Sequence, residues 1–310
     1  MTDCVIVQPI ESCGVRLLKD AGLSVFEAPI PELKIFKSHL MSARAIITRN
    51  LGLSDEAINL APNLEIIASH GTGTDTINQV AASKRNIKIV NTAGSNAKSV
   101  AEHALALMLA CAHQIPLADQ SIRSGSWSFR EELRIKEISS LQLGLIGYGH
   151  VARELGLLAR GLGMTVSVYS QNISKPELSK NGLLLSNSLE ALLAGCNIIS
   201  LHGVPGCAPR LNRNLLQNLN KDSIIINTAR GALLDEAALA ELLHEGKIRA
   251  AGLDVFSEEP LPQESPLFDC PNLIMTPHIG GSSVKALENT ANLVAQKVID
   301  ALKTTPSKRY

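Results

Sequence analysis

Short aliphatic runs recur along the chain, each bounded by polar or turn-forming residues and followed by a stretch with helical spacing. The first of them are CVIVQ (4–8), SVFEA (24–28), AIITR (45–49), LEIIAS (64–69) and IKIV (87–90), with amphipathic segments such as ESCGVRLLKDAG and SDEAINLA between. A strand with one wet face alternates apolar and polar positions, whereas a continuous apolar run suits a strand covered on both faces. Strand and helix in alternation therefore predict parallel sheets with helices on either side.

A long apolar helix over about 97–113 breaks this rhythm, which resumes at LQLGLIG (141–147). It continues through TVSVYS (165–170), NIISLH (197–202), SIIINTA (223–229), RAAGLDVF (249–256) and LIMTPH (273–278), and closes on a helix over roughly 282–302. The pattern predicts two doubly wound α/β domains, the second inserted into the first. Ligands of such folds bind at the carboxyl ends of the strands, so candidate chemistry is sought there.

Composition narrows the classes. Lys plus Arg and Asp plus Glu both number 29 in 310 residues, and aromatic residues make up 3%. Neither a basic field nor a base-stacking platform is present, which argues against nucleic acid as a partner. The six cysteines, Cys4, Cys13, Cys111, Cys196, Cys207 and Cys270, include no C-x-x-C pair and no nearby histidines at metal-ligand spacing. They read as thiols of a reducing compartment, with no metal site expected. VAEHALALMLACA (100–112) is too short to span a bilayer and contains Glu102 and His103, so no membrane segment is expected. With no apolar leader after Met1, a cytoplasmic protein is expected.

Four strand ends carry chemistry. G-Y-G-H-V-A (147–152) matches G-x-G-x-x-G/A: Gly147 permits a tight turn, Gly149 lets a pyrophosphate approach, and Ala152 lets helix and strand pack closely. NTARG (227–231) places Arg230 at a strand tip, where a guanidinium can hold a carboxylate with two N–H bonds. LDVFSEEP (253–260) offers Asp254 and Glu259, and TPHIGG (276–281) offers His278. Taken singly, these read as a helix cap, a turn residue and a core histidine. Together they suggest an imidazole held at one nitrogen by a carboxylate and free at the other to handle a substrate proton.

INTARGALLDEAALAELLHEGKI, AGLDVFSEEP and TPHIGG closely resemble the D-isomer-specific 2-hydroxyacid dehydrogenases, as do SVAEHALALMLA and GTGTDTIN (71–78). The resemblance runs through nearly the whole chain. It implies a Rossmann nucleotide-binding domain over 98–280, inserted into a flavodoxin-like substrate domain built from 1–97 and 281–310. It also implies a homodimer formed through the helix near residue 100 and the segment after it, where Trp127 falls. NAD(P)H is the implied cofactor and a small 2-keto or 2-hydroxy acid the implied substrate.

Residue by residue, Arg230 would bind the substrate's carboxylate and carbonyl oxygen, His278 would be general acid and base, and Glu259 its partner. Asp254 would hold the nicotinamide carboxamide, His150 and Val151 would touch the pyrophosphate, and Ser99 would lie near the nicotinamide-side phosphate. Thr228, Ala229, Gly203 and Gly280 would border the cofactor. Thr72 would contact both ligands, and with Gly73 it would present backbone N–H groups to the substrate carboxylate. Arg49 and Asn50 fall in the loop that selects the substrate's side chain.

The sequence departs from the family pattern in three places. LHGVPGCAPRLN (201–212) replaces the usual LH-x-P-L-T-x-E-T run, and with the last residue at Tyr310 no regulatory domain is expected. The third departure is Ser170, followed by Gln171 and Asn172, where NAD-specific members carry an acid for the adenosine ribose. An acid repels a 2′-phosphate; three hydrogen-bonding side chains, with Lys175 near, do not. The cofactor expectation therefore leans to NADP. Within the family, a hydroxypyruvate or glyoxylate reductase is favoured over a short-form D-3-phosphoglycerate dehydrogenase; a dinucleotide-sensing co-repressor is the alternative of another class.

Overall fold

The computed structural model describes residues 1–131, 134–171 and 173–304, and divides them into two compact units. The first unit combines Met1–Ala97 with the segment from Ser282, and the second is Lys98–Gly281. Asn172 lies outside the described residues.

In the first unit, strands β1 (Cys4–Ile6), β2 (Val25–Glu27), β3 (Ala45–Thr48), β4 (Ile66–Ser69) and β5 (Lys88–Val90) form one parallel sheet in the order β2-β1-β3-β4-β5. This is the flavodoxin-like order. The central strands β1, β3 and β4 are buried throughout, as their unbroken apolar runs require. Val294, Ala295 and Val298 of the helix Val284–Thr304 pack with Ile6, Ile47 and Ile66 on one face. Gly14, in the helix Ser12–Asp20, lets that helix approach closely: a Cβ there would sit 2.5 Å from the Ala291 carbonyl oxygen.

The second unit holds β6 (Gln142–Ile146), β7 (Thr165–Tyr169), β8 (Leu184–Leu185), β9 (Ile198–Leu201), β10 (Ile224–Asn227), β11 (Ala250–Leu253) and β12 (Leu273–Met275). All run parallel in the order β12-β11-β10-β9-β6-β7-β8. Chain direction across the sheet reverses between β6 and β9, which makes their carboxyl ends the topological switch point. The register brings the strand ends level. Ile146 lies beside Leu201, Leu201 beside Asn227, Asn227 beside Leu253 and Leu253 beside Met275. The residues that follow, from Gly147 to Thr276, therefore emerge along one edge.

Two elements differ from the sequence pattern. The two-residue edge strand β8 lies in GLLLS (182–186) and is not among the predicted strands. The long helix ends at Ala112, within a residue of its predicted end, and after Gln114 in a left-handed conformation (φ 52°) a separate helix that the pattern did not predict, Ile115–Arg123, begins with a proline in its first turn. Among the described residues no single helix is long and apolar enough to cross a membrane. The helix Ala97–Ala112 instead buries Ala101, Ala104, Leu107 and Met108 in the second unit's core.

Candidate active site

Gly147 follows β6 with φ 92°, a conformation suited to glycine, and a Cβ on it would meet the His202 carbonyl group at 2.9 Å. The turn is thereby wedged against the end of β9 at the switch point. Gly149 precedes the helix His150–Gly161, and a Cβ there would meet nothing within 4 Å. The helix start carries no side-chain cap, and Ala152, fully buried, seats it on the sheet. An open glycine before uncapped N–H groups fits a dinucleotide's pyrophosphate. His150 is exposed and Val151 half-buried on the helix's first turn.

Ser170 and Gln171 follow β7. With Gly147, Tyr169, Cys207, Ala208 and Pro209 they line a cavity of about 40 Å³. The atypical 201–212 loop thus folds its middle against the β7 end. Gly203 permits this, since a Cβ there would overlap the Ala208 side chain at 2.0 Å. Cys207, Ala208 and Pro209 were not legible as site residues, because nothing in sequence spacing tells how a loop folds back.

Three elements meet around Arg230. A Cβ on Gly231 would lie 1.9 Å from the Phe256 carbonyl carbon, so glycine is what allows the Arg230 segment to pass under the β11 turn. Asn227 holds this segment, donating through Nδ2 to the Arg230 carbonyl at 2.9 Å and accepting the Ala229 N–H at 3.1 Å. The Arg230 guanidinium donates to the Ala229 carbonyl at 2.7 Å. Beside it, Thr228 is buried, and its hydroxyl has no hydrogen-bond partner among the described residues.

The β11 turn is fixed at both ends. The Phe256 N–H donates to Glu259 Oε1 at 3.0 Å, and the Ser257 N–H to Glu236 Oε1 at 2.6 Å. Glu259 Oε2 is then 2.7 Å from Nδ1 of His278. This hydrogen bond, with the charges of Glu259 and Asp254 added, raises the His278 pKa above the usual imidazole value, against burial and the Arg230 charge. Burial pushes Glu259 up, but the bonds to His278 and Phe256 and the charges of His278 and Arg230 carry it below the ordinary carboxylate value. Two other strand-end histidines behave oppositely. Burial lowers His202 to about 4; burial and the Arg49 charge do the same to His70. Both are neutral near pH 7, whereas His278 is shifted toward holding its proton.

His278 has φ 53°, uncommon for a residue with a side chain, and its N–H donates to the Asp254 carbonyl at 2.8 Å. Asp254 is 1% exposed and organises the loop: it accepts from the Thr276 hydroxyl (2.6 Å) and from the N–H groups of Ile279 (2.9 Å) and Gly280 (2.8 Å). Ser99 donates to the Gly280 carbonyl at 2.6 Å. The structure thus brings Arg230, Asp254, Glu259, His278, Ser99 and Gly280 into one linked set.

In the first unit, Arg49 and Asn50 follow β3. Arg49 is anchored by a bond to the Pro9 carbonyl (2.9 Å), and Gln8 Oε1 accepts its backbone N–H at 3.0 Å. After β4 the carbonyls of Gly71, Thr72 and Gly73 accept from Thr92, Asn91 and Ser69 at 2.7–3.1 Å. Among the described residues no cluster of potential ligands suits a metal ion.

The strand order, the turn at the switch point and the helix behind it make the second unit a dinucleotide-binding α/β domain. The family model described as "D-isomer specific 2-hydroxyacid dehydrogenase, NAD binding domain" matches residues 105–280, more than half of the chain. The chain belongs to the D-isomer specific 2-hydroxyacid dehydrogenase family. It is 33% identical over 306 residues to a D-3-phosphoglycerate dehydrogenase of Archaeoglobus fulgidus, covering 97% of this chain and 58% of that one. To the D-3-phosphoglycerate dehydrogenase of Mycobacterium bovis it is 38% identical over 263 residues, covering 84% of this chain and 49% of the relative. The chain thus spans about half to three-fifths of the length of these relatives. Among solved structures, a glyoxylate reductase from Paecilomyes thermophila superposes with a TM-score of 0.85 at 26% identity, covering 98% and 96% of the two chains.

Proposed function

We propose that this protein is an NAD(P)-dependent D-2-hydroxyacid dehydrogenase that interconverts a small 2-keto acid and its 2-hydroxy acid. The observation that carries the reading is the His278–Glu259 pair beside Arg230, on the strand-end edge that also bears the glycine turn. A bound nicotinamide cofactor supplies or accepts the hydride at substrate C2. Gly147, Gly149, His150 and Val151 hold its pyrophosphate, and Thr228, Ala229, Asp254 and Gly280 stand at the strand ends for its nicotinamide. Arg230 grips the 2-keto acid, neutralising its carboxylate and polarising the carbonyl. In reduction, the imidazolium of His278 gives its proton to the keto oxygen while Glu259 steadies the ring; in oxidation the neutral ring takes that proton back. Substrate-binding roles are likewise proposed for Arg49, Asn50, Thr72 and Gly73.

Ser170 and Gln171 in place of an acid favour NADPH, and with it a hydroxypyruvate or glyoxylate reductase over D-3-phosphoglycerate oxidation. The protein is proposed to act in the cytoplasm as a homodimer. Support for the dimer comes from the exposed apolar side chains Ile115, Ile122, Trp127 and Ile135 along one stretch; Trp127 alone is 71% exposed. Sedimentation of the wild type and of Trp127→Glu tests this, with a monomeric wild type refuting it. The reaction is tested by assaying glyoxylate, hydroxypyruvate, pyruvate and D-3-phosphoglycerate with NADH and NADPH in parallel. Turnover of none of them would leave the co-repressor-like binding protein as the better account.

A further inference from the structure

We infer that His103 is a positioning residue for His278, acting through Thr276 and Asp254; the inference rests on the proton-transfer role proposed above. His103 lies on the helix Ala97–Ala112, with Nε2 2.9 Å from the Thr276 hydroxyl and 3.3 Å from Asp254 Oδ1. The Thr276 hydroxyl has one proton, and it is committed to Asp254 Oδ1 at 2.6 Å. Toward His103 that oxygen is therefore an acceptor, so Nε2 of His103 carries the hydrogen. The result is a directed chain: His103 N–H to Thr276 O–H to the Asp254 carboxylate. Each bond polarises the next, and a satisfied chain in a buried setting holds its members to one geometry.

That geometry bears on His278. Asp254 is the acceptor for the N–H groups of Ile279 and Gly280 and, through its backbone carbonyl, of His278 itself. His278 sits in a left-handed conformation, which a side-chain-bearing residue keeps only when its surroundings enforce it. Close packing adds to the hydrogen bonds: a Cβ on Gly280 would lie 3.0 Å from Asp254 Oδ2 and 3.5 Å from the His103 ring. The loop that carries the proton donor is thus held on one side by Glu259 and on the other by a carboxylate whose orientation His103 sets.

The test uses His103→Leu, His103→Gln, Thr276→Val and the double variant His103→Leu/Thr276→Val in the full chain. Two readouts are taken: amide hydrogen exchange of Ile279 and Gly280, and kcat and KM for hydroxypyruvate and glyoxylate with NADPH. His103→Leu is expected to speed exchange of both amides by about tenfold, as for one lost hydrogen bond, and to lower kcat about tenfold with KM within twofold. His103→Gln keeps an N–H donor and is expected to recover most of both. The double variant is expected to be no worse than the poorer single variant, because both cut the same chain. Unchanged exchange, additive losses, or a glutamine variant as poor as the leucine variant would overturn the proposal. If His103→Leu does not fold, Thr276→Val, close in shape to the wild type, decides by the same readouts. If the wild type turns over neither keto acid, the exchange result alone decides the positioning, and only the reaction assignment fails.

Discussion

Glu259 Oε2 lies 2.7 Å from Nδ1 of His278, so the carboxylate occupies one imidazole nitrogen and leaves Nε2 for the proton exchange proposed above. The pair also sets the pH response. In the proposed reduction the imidazolium is the proton donor, and its pKa is raised chiefly by this hydrogen bond. Reductive activity is therefore full below that pKa and fades as pH rises through it. Glu259→Gln removes the anionic partner, so its kcat/KM profile for reduction is expected to fade at lower pH than the wild type's. Stability follows the same sign: the contribution of the raised pKa is complete below the unfolded value, near 6.5, and is lost as pH rises through the folded one. An unchanged midpoint in the glutamine variant would remove Glu259 from the pair.

His278→Asn is expected to lower turnover by about 10²–10⁴-fold while NADPH affinity stays within a few-fold, because the proton donor is lost and the glycine turn is untouched. Cofactor binding followed by fluorescence titration separates the two effects. A parallel loss of affinity and turnover would mean that the ring shapes the cofactor site rather than the chemistry.

Arg230→Lys is expected to do little better than Arg230→Ala. Lysine supplies charge without the planar two-bond grip on a carboxylate. Arg230 is also held at the Ala229 carbonyl, a geometry that a single ammonium does not reproduce. The loss should fall on kcat/KM for the keto acid and spare cofactor binding. A fully active lysine variant would show that a point charge is enough.

Gly231→Ala tests how the strand ends are assembled. The added methyl would sit 1.9 Å from the Phe256 carbonyl carbon and 2.1 Å from the Ser257 nitrogen. Both are backbone atoms of the turn that leads to Glu259, so the contact cannot be relieved by a rotamer change. A loss of about 1–3 kcal/mol, the usual range for overpacking, is expected in urea unfolding, together with weaker activity from a displaced Glu259. A variant with an unchanged midpoint would show that the two segments part without cost.

The layered α/β fold was readable because buried parallel strands need continuous apolar runs, and β1, β3, β4, β9 and β10 have them. β8 has only the short run LLL (183–185) beside a leucine-rich helix, and the helix Ile115–Arg123 buries no residue that would mark it as a separate packed element. The strand-end positions of Arg230, Asp254, Glu259 and His278 were legible because each follows an apolar run; their proposed roles rest on the motifs. The sequence was silent on connections across distant segments: His103 with Thr276, Glu236 with Ser257, Cys207 with the β7 end. Those pairings depend on how helix and loop settle on the sheet, which no local spacing encodes. His70 was missed for a related reason, since its lowered pKa comes from burial and from Arg49, a neighbour only in the folded unit.

The proposed preference for NADPH rests on Ser170. An aspartate there would face a 2′-phosphate, and two unit charges about 5 Å apart repel by roughly 3 kcal/mol at an effective dielectric constant of about 20. Ser170→Asp is therefore expected to weaken NADPH binding by about 1–3 kcal/mol, toward the lower end because Gln171 is exposed and water reaches this strand end. NADH affinity is expected to rise, since the carboxylate accepts from both ribose hydroxyls. Cys207, Ala208 and Pro209 line the same cavity as Ser170 and Gln171. Both cofactors are to be titrated against both proteins at one ionic strength, because salt screens the repulsion. If the wild type prefers NADH and the variant alters neither affinity, residue 170 does not read the 2′ position. Selection would then fall to the 203–209 loop, and Cys207→Asp would be the variant to titrate next.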